Sequence, residues 1–124
     1  MSYKVAVTSL DGNSIDAHFG HAESFLIIDV EEESGIWKKS EIRSTGTGGQ
    51  GESAGHDDAH LDRIAELIGD CSFLLTEKIG MKPYRILQKK GITSLESPRD
   101  LSGALVKLNR YYRKNKKRFG GENG

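Results

Sequence analysis

Three short, mainly apolar runs constrain the fold of this chain more than any other feature. They occupy residues 3–9, 23–30 and 70–76, and turn-forming or charged residues adjoin them. Short uninterrupted runs rich in Val, Ile, Leu and Phe are typical of strands buried inside a sheet, whereas a half-exposed strand alternates apolar and polar side chains. The sequence therefore predicts a sheet with a buried centre.

Apolar residues at helical spacing predict two amphipathic helices. The first stripe is followed by Gly69, a typical helix end. The last follows Ser97 and Pro98, which we expect at the N-cap and at the first helical position. A helix between them has Pro83 in its first turn and ends before Gly91. The two stripes are Leu61, Ile64, Ala65, Ile68 and Leu101, Ala104, Leu105, Leu108.

Further strands predicted at residues 36–43 and 92–96 complete the element order β-β-β-α-β-α-β-α. This order predicts a layered α/β fold with a mixed sheet and right-handed crossovers in its second half. The chain has 124 residues, of which 35% are hydrophobic. That size suits one compact domain, which we assign to residues 1–109.

Residues 110–124 are predicted to form a basic, partly disordered C-terminal extension. Seven Lys or Arg residues lie between positions 107 and 119, with Tyr111, Tyr112 and Phe119 among them, although the whole chain is balanced at 18 basic and 18 acidic residues. Such a segment could bind nucleic acid or a protein through phosphate contacts and stacking. The other interpretation is a solvated final helix whose tyrosines close the edge of the core.

The single cysteine, Cys71, excludes an internal disulfide framework and fits a reducing compartment. A lone cysteine beside a buried strand is usually a small core residue. The N-terminus leads into a strand, and no apolar run is long enough to span a bilayer. We therefore expect a cytoplasmic protein without membrane association.

The four histidines occur as two close pairs, His18 with His21 and His56 with His60, the second pair following a glycine-rich loop at residues 44–55. Paired imidazoles can bind Fe, Cu, Ni or Zn. The same residues are also compatible with ordinary hydrogen-bonding positions in a loop and at a helix start. Their spacing alone does not separate these interpretations.

The second pair also invites comparison with zinc hydrolases, since His56 and His60 stand at i and i+4. Asp57 replaces the glutamate of the His-Glu-x-x-His motif, and its shorter side chain would reach a zinc-bound water poorly. No third ligand stands out. Hydrolysis is therefore a distant alternative.

Several segments resemble the dinitrogenase iron-molybdenum cofactor biosynthesis family, which includes NifX, NifY, the C-terminal domain of NifB and small orange-protein-type relatives. The most specific is Asp-Ala-His-Phe-Gly-His-Ala at residues 16–22. The resemblance covers roughly residues 3–108. The other matching segments are Lys-Val-Ala-Val at 4–7, Phe-Leu-Ile-Ile-Asp at 25–29, Asp70-Cys71, Ile79-Gly80 and Leu87 to Ile92.

The resemblance implies a three-layer α/β/α, ribonuclease-H-like fold with a five-stranded mixed sheet. It also implies a non-enzymatic protein that binds a preformed iron-molybdenum-type or other molybdenum-containing metal-sulfur cluster and passes it between donor and acceptor proteins. On the motif positions, His18 and His21 are the expected metal ligands. The full set of expected cluster-binding residues is His18, Phe19, Gly20, His21, His56 and His60. The resemblance departs at Glu77-Lys78, where relatives often have small residues.

Overall fold

The computed structural model describes residues 2–9, 11, 14–19, 22–44, 58–97 and 99–115, with the side chains of residues 58–60 left aside. This part of the chain forms five strands and three helices. The strands are β1 (Ser2–Thr8), β2 (Ser24–Glu31), β3 (Trp37–Ser44), β4 (Phe73–Thr76) and β5 (Thr93–Glu96). The helices are α1 (Asp58–Leu67), α2 (Met81–Lys89) and α3 (Leu101–Lys114).

The strands form one mixed sheet in the order β3-β2-β1-β4-β5. Strand β1 pairs antiparallel with β2, which pairs antiparallel with β3. On its other side β1 pairs parallel with β4, which pairs parallel with β5. The predicted α/β architecture and five-stranded mixed sheet are therefore confirmed.

Two separate apolar clusters lie against alternate residues of the same strands. Ala6 and Leu74 belong to the first cluster, whereas Val5 and Val7 belong to the second. Successive side chains of a strand point to opposite faces, so each cluster occupies one face of the sheet. Residues of α1 and α2 join the first cluster and residues of α3 join the second. Both faces of the central strands are consequently buried, as their unbroken apolar sequences predict.

The start of α3 differs from the prediction. The N-cap is Asp100 and the helix begins at Leu101, so Ser97 does not cap it. The Ser97 N–H instead donates to the Thr76 carbonyl at 2.9 Å, at the end of β4. Ser97 thus belongs to the connection after β5, and the next residue suited to an N-cap, Asp100, takes that position.

Gly91 follows α2 as predicted, with φ of 84°. Its N–H donates to the carbonyl of Gln88 at 3.0 Å, which closes the helix with a left-handed residue. A residue with a Cβ would be strained at this backbone angle. Glycine therefore ends this helix, as the sequence predicts, because it adopts the left-handed backbone angle without strain.

Helix α3 continues past residue 110 and ends at Lys114. Tyr112 packs against the second cluster, and its ring centroid lies 4.3 Å from that of Tyr3. One of the two tail tyrosines thus closes the core edge. The domain boundary after residue 109 stays a prediction, and residues 116–124 lie outside the described part of the chain. Among the described residues, no helix is both long and apolar enough to cross a membrane.

Candidate functional site

Residues 14–19, called the His18 segment below, lie across the carboxyl ends of β1 and β4. The Asp16 N–H donates to the Thr8 carbonyl at 3.3 Å, and the Phe19 N–H donates to the Lys78 carbonyl at 2.9 Å. Thr8 ends β1, and Lys78 lies two residues beyond β4. The segment is therefore held by both central parallel strands.

Two fully buried threonines form the anchor of this segment. The Thr8 hydroxyl donates to the Ala17 carbonyl at 2.7 Å and lies 2.9 Å from the Thr76 hydroxyl. The Thr76 hydroxyl lies 3.2 Å from the carbonyls of both Ala17 and Lys78. The Glu77 N–H also donates to the Ala17 carbonyl at 3.2 Å. Because buried polar groups need partners, this network fixes the backbone immediately before His18.

His18 itself projects toward solvent from this fixed backbone. Its side chain is 52% exposed, and Nε2 lies 3.8 Å from Glu77 Oε1. That distance allows an ion pair when the imidazole is protonated, and a neutral imidazole there can donate or accept through its ring nitrogens. The Glu77 departure from the family pattern thus places a carboxylate beside the first predicted metal ligand.

Phe19 and Ile15 bury the two ends of the His18 segment on opposite faces of the sheet. Phe19 is 1% exposed in the first cluster, where its ring centroid lies 5.9 Å from that of Phe25. Ile15 is completely buried in the second cluster. The sequence analysis predicted that Phe19 faces a bound metal-sulfur cluster. In the structure its side chain lies in the apolar core, where it anchors the end of the His18 segment.

The remaining predicted site residues are only partly placed. Gly20, His21 and His56 lie outside the described residues, as do residues 45–55 of the glycine-rich loop, whose first residue, Ser44, is the last of β3. His60 falls within α1, and its side chain is not among those described. Over the described ranges no group of three or more His, Cys, Asp or Glu side chains could hold a metal ion. Of the two predicted metal ligands, the structure gives the position of His18 alone. The pairing of the four histidines stays a prediction.

Cys71 is a core residue, as its sequence position indicates. It is 4% exposed within the first cluster. Burial, with a smaller contribution from the nearby Asp70 carboxylate, raises the pKa of its thiol to about 12. Since the thiolate is the reactive form, this cysteine is neither an activated nucleophile nor a ready metal ligand in the native state.

We expect Cys71 to react with a disulfide reagent at pH 8 at least about a thousandfold more slowly in the native protein than in urea. With the pKa raised to about 12, only about one thiol in ten thousand is ionised at that pH, against roughly a quarter for an ordinary thiol. Absorbance of the released thiolate measures both rates. Comparable rates before and after unfolding would contradict the buried position.

Sequence reasoning missed Thr8 and Thr76, which hold the His18 segment. Both stand at the last position of a strand, where a hydroxyl can reach the connecting chain. That position is a weak signal, because threonine is also common in strands for its β-branched shape. Only the pairing of β1 with β4 identifies the two residues as partners.

A sequence model described as "Dinitrogenase iron-molybdenum cofactor" matches residues 1–111. A protein of Frankia alni named "FeMo cofactor biosynthesis protein NifB" is 34% identical over 93 residues, which is 74% of this chain and 18% of that protein. A protein of Klebsiella pneumoniae with the same name is 30% identical over 89 residues, covering 71% of this chain and 19% of its own length. The chain thus spans less than a fifth of these relatives.

The fold has counterparts among solved structures. The apo form of the orange protein from Desulfovibrio gigas matches with a TM-score of 0.59 over 88% of each chain, at 18% sequence identity. At this identity the likeness concerns the fold alone. It agrees with the mixed sheet and the helices described above.

Proposed function

This chain belongs to the dinitrogenase iron-molybdenum cofactor family, and from that membership we propose that it binds a preformed metal-sulfur cluster for storage or delivery. The family is associated with the biosynthesis or handling of the iron-molybdenum cofactor. The cluster would be cargo that is received from one protein and passed to another. Its proposed ligands are His18 and His21, with the second histidine pair as further candidates.

The observation that carries this proposal is the position of His18 at a topological switch point of the sheet. After β1 the chain continues to β2 on one side, whereas after β4 it continues to β5 on the other. Open α/β sheets bind ligands outside the carboxyl ends of strands at such a point. An exposed imidazole on a backbone fixed by Thr8 and Thr76 is therefore well placed to meet a ligand.

A cluster held as cargo needs fewer protein ligands than a bare metal ion, which requires several in a closed arrangement. A cluster that already contains sulfide has most of its metal coordination satisfied and needs few protein ligands. One or two imidazoles can hold it reversibly. The neighbouring Glu77 carboxylate would orient the His18 imidazole for that contact.

We also propose a three-layer α/β/α, ribonuclease-H-like arrangement. Its support is the division of the helices between the two apolar clusters, with α1 and α2 in one and α3 in the other. The exposed His18 side chain lies at the carboxyl ends of β1 and β4. Partner proteins that donate or accept the cluster would approach at that end, and we expect this exchange to occur in the cytoplasm without catalysis by this chain.

Anaerobic incubation with an iron-molybdenum or molybdenum-copper sulfide cluster is expected to give a coloured complex that survives gel filtration. The His18→Ala/His21→Ala double variant should bind at least about tenfold more weakly, because ligand and near-ligand groups commonly contribute that much to metal affinity. Visible absorbance, together with metal and sulfide analysis of the protein fraction, measures the stoichiometry and the affinity.

The matched control is Lys38→Ala, an exposed substitution on β3 at the far edge of the sheet. It should bind the cluster like the parent protein. Unchanged binding in the double histidine variant would remove these residues from the site. Absence of any coloured complex with the parent protein would count against the carrier function itself.

A further inference from the structure

A cavity of about 550 Å³ lies between the turn after β2 and the second half of α3. Ser34 and Gly35 line it on the turn, and residues between positions 106 and 114 line it on α3. Its volume falls within the range of roughly 300–1,000 Å³ that is usual for small-molecule sites. No role has been assigned to this cavity above, and the inference that follows does not depend on cluster binding.

Three basic side chains and no acidic one are found among the residues that line this cavity. They are Arg110, Arg113 and Lys114, which stand at i, i+3 and i+4 of α3 and therefore lie together on one helix face. All three are exposed, and no carboxylate of the described residues forms an ion pair with any of them. Arg43, by contrast, pairs with two carboxylates. The α3 wall of the cavity is thus positive and uncompensated.

The position of these cations near a helix end accounts for only part of the arrangement. Basic residues in a last turn interact favourably with the helix dipole, and Arg113 and Lys114 occupy that turn. Arg110 lies one turn earlier, and like charges at i and i+4 destabilise a helix, so Arg110 and Lys114 repel each other. A bound anion would relieve this repulsion. The dipole places about half a negative charge at the helix end, which the full positive charges of the three side chains outweigh.

Asn109 and Val106 add two other kinds of contact to the cavity. Asn109 is 8% exposed, and its Nδ2 carries two hydrogens, of which the Glu32 carbonyl accepts one. No described residue accepts the other hydrogen. Nδ2 lies beside the turn, since a Cβ added to Gly35 would be 3.5 Å from it. Val106 is 53% exposed, so it can bury apolar surface against a ligand.

We infer that this cavity binds a small phosphate monoester with an apolar body. The Arg110 and Arg113 guanidinium groups donate paired hydrogen bonds to the phosphate oxygens, a geometry that suits arginine. Lys114 adds a third charge, and the apolar body of the ester packs on Val106. A phosphate monoester matches this wall better than a carboxylate does, because it carries nearly two negative charges at neutral pH. The cations are grouped within about one turn of α3, which fits one phosphoryl group rather than the row of phosphates in a nucleic acid.

Titration of the full chain with phenyl phosphate, followed by ¹H–¹⁵N NMR, tests this site without any metal cluster present. Saturable shifts are expected at the amides of Gly35, Arg110 and Arg113. Benzenesulfonate keeps the ring and a tetrahedral anion but carries a single charge, so it should bind at least about tenfold more weakly. Inorganic phosphate lacks the ring and should bind about threefold more weakly, because it loses the contact with Val106.

Arg110→Ala and Arg113→Ala should each weaken the binding of phenyl phosphate at least about tenfold, since each removes charge-assisted hydrogen bonds. Lys89→Ala is the matched control, because it removes an exposed cation from the last turn of another helix, α2, and it should leave binding unchanged. Val106→Ala should weaken the binding of phenyl phosphate about threefold and leave that of inorganic phosphate unchanged. All four substitutions are at exposed positions, so each variant should keep the native spectrum.

No saturable shift with phenyl phosphate, equal binding of benzenesulfonate, or full binding by both arginine variants would each overturn the inference. A short oligothymidylate serves as the nucleic-acid probe and should bind no more tightly than phenyl phosphate. Tighter binding of that oligonucleotide, with a steep dependence on salt concentration, would assign the surface to nucleic acid and would likewise overturn the inference.

Discussion

Replacing Phe19 with alanine is expected to lower the free energy of unfolding by about 3–5 kcal/mol, the usual cost of removing a buried aromatic side chain. Phe19 is 1% exposed and packs in the first cluster beside Phe25. The Phe19 N–H also donates one of the hydrogen bonds that hold the His18 segment to the chain after β4. The substitution leaves a cavity where the segment enters the core. Equilibrium unfolding in urea, monitored by circular dichroism, gives the difference.

Two companion variants separate the core role of Phe19 from a ligand role. Phe19→Leu keeps most of the apolar volume and should cost less than half as much as Phe19→Ala. His18→Ala changes an exposed neighbour and should alter stability by less than about 0.5 kcal/mol. If Phe19→Ala proved as mild as His18→Ala, the ring would not be the core anchor that its burial indicates.

Replacing Asn109 with alanine is expected to cost about 2–4 kcal/mol. The Asn109 side chain is buried between two distant parts of the chain, accepting from the Tyr3 hydroxyl at 2.9 Å and donating to the Glu32 carbonyl at 3.0 Å. Its removal breaks both bonds and takes away the partner of the buried Tyr3 hydroxyl, and a buried polar group without its partner costs about 1–3 kcal/mol. Because Asn109 joins α3 to β1 and to the turn after β2, the loss should appear as lower global stability in urea unfolding.

Asn115→Ala is the matched control, since that asparagine is only partly buried and bonds within its own helix end, to the Tyr111 carbonyl. It should cost less than about 1 kcal/mol. In Asn109→Ala the Tyr3 hydroxyl loses its acceptor. Adding Tyr3→Phe removes that hydroxyl. The double variant should therefore be more stable than the sum of the two single losses predicts, and strict additivity would contradict a direct bond.

The sheet could be predicted from sequence because the strands are signalled by local features. The apolar runs around Val5, Ile27 and Leu74 are continuous, and a strand buried on both faces needs such a sequence. Gly91 marks a helix end because only a residue without a Cβ adopts that backbone angle without strain. The start of α3 was mispredicted, since Ser97 and Asp100 both suit an N-cap and the choice between them depends on tertiary contacts.

The candidate site was less predictable, because its determinants are distant in sequence. The His-Phe-Gly-His motif suggested binding for all four residues, yet Phe19 proves to be part of the core. Adjacent residues of an extended segment point in opposite directions, so a ligand and a core residue can stand side by side.

The threonine anchor has a consequence for the order of events during synthesis of this protein. Thr8 and Thr76 are 68 positions apart. When His18 has just been synthesised, the nascent chain therefore does not yet contain β4, the strand whose Thr76 helps to fix the His18 segment. The anchor forms only after β1 has paired with β4, a long-range step whose entropic cost falls on folding rather than on binding. Loading of any ligand that requires this geometry is thereby delayed until most of the chain has been translated. Once loaded, the ligand would stabilise the native state by mass action and oppose the separation of these two strands.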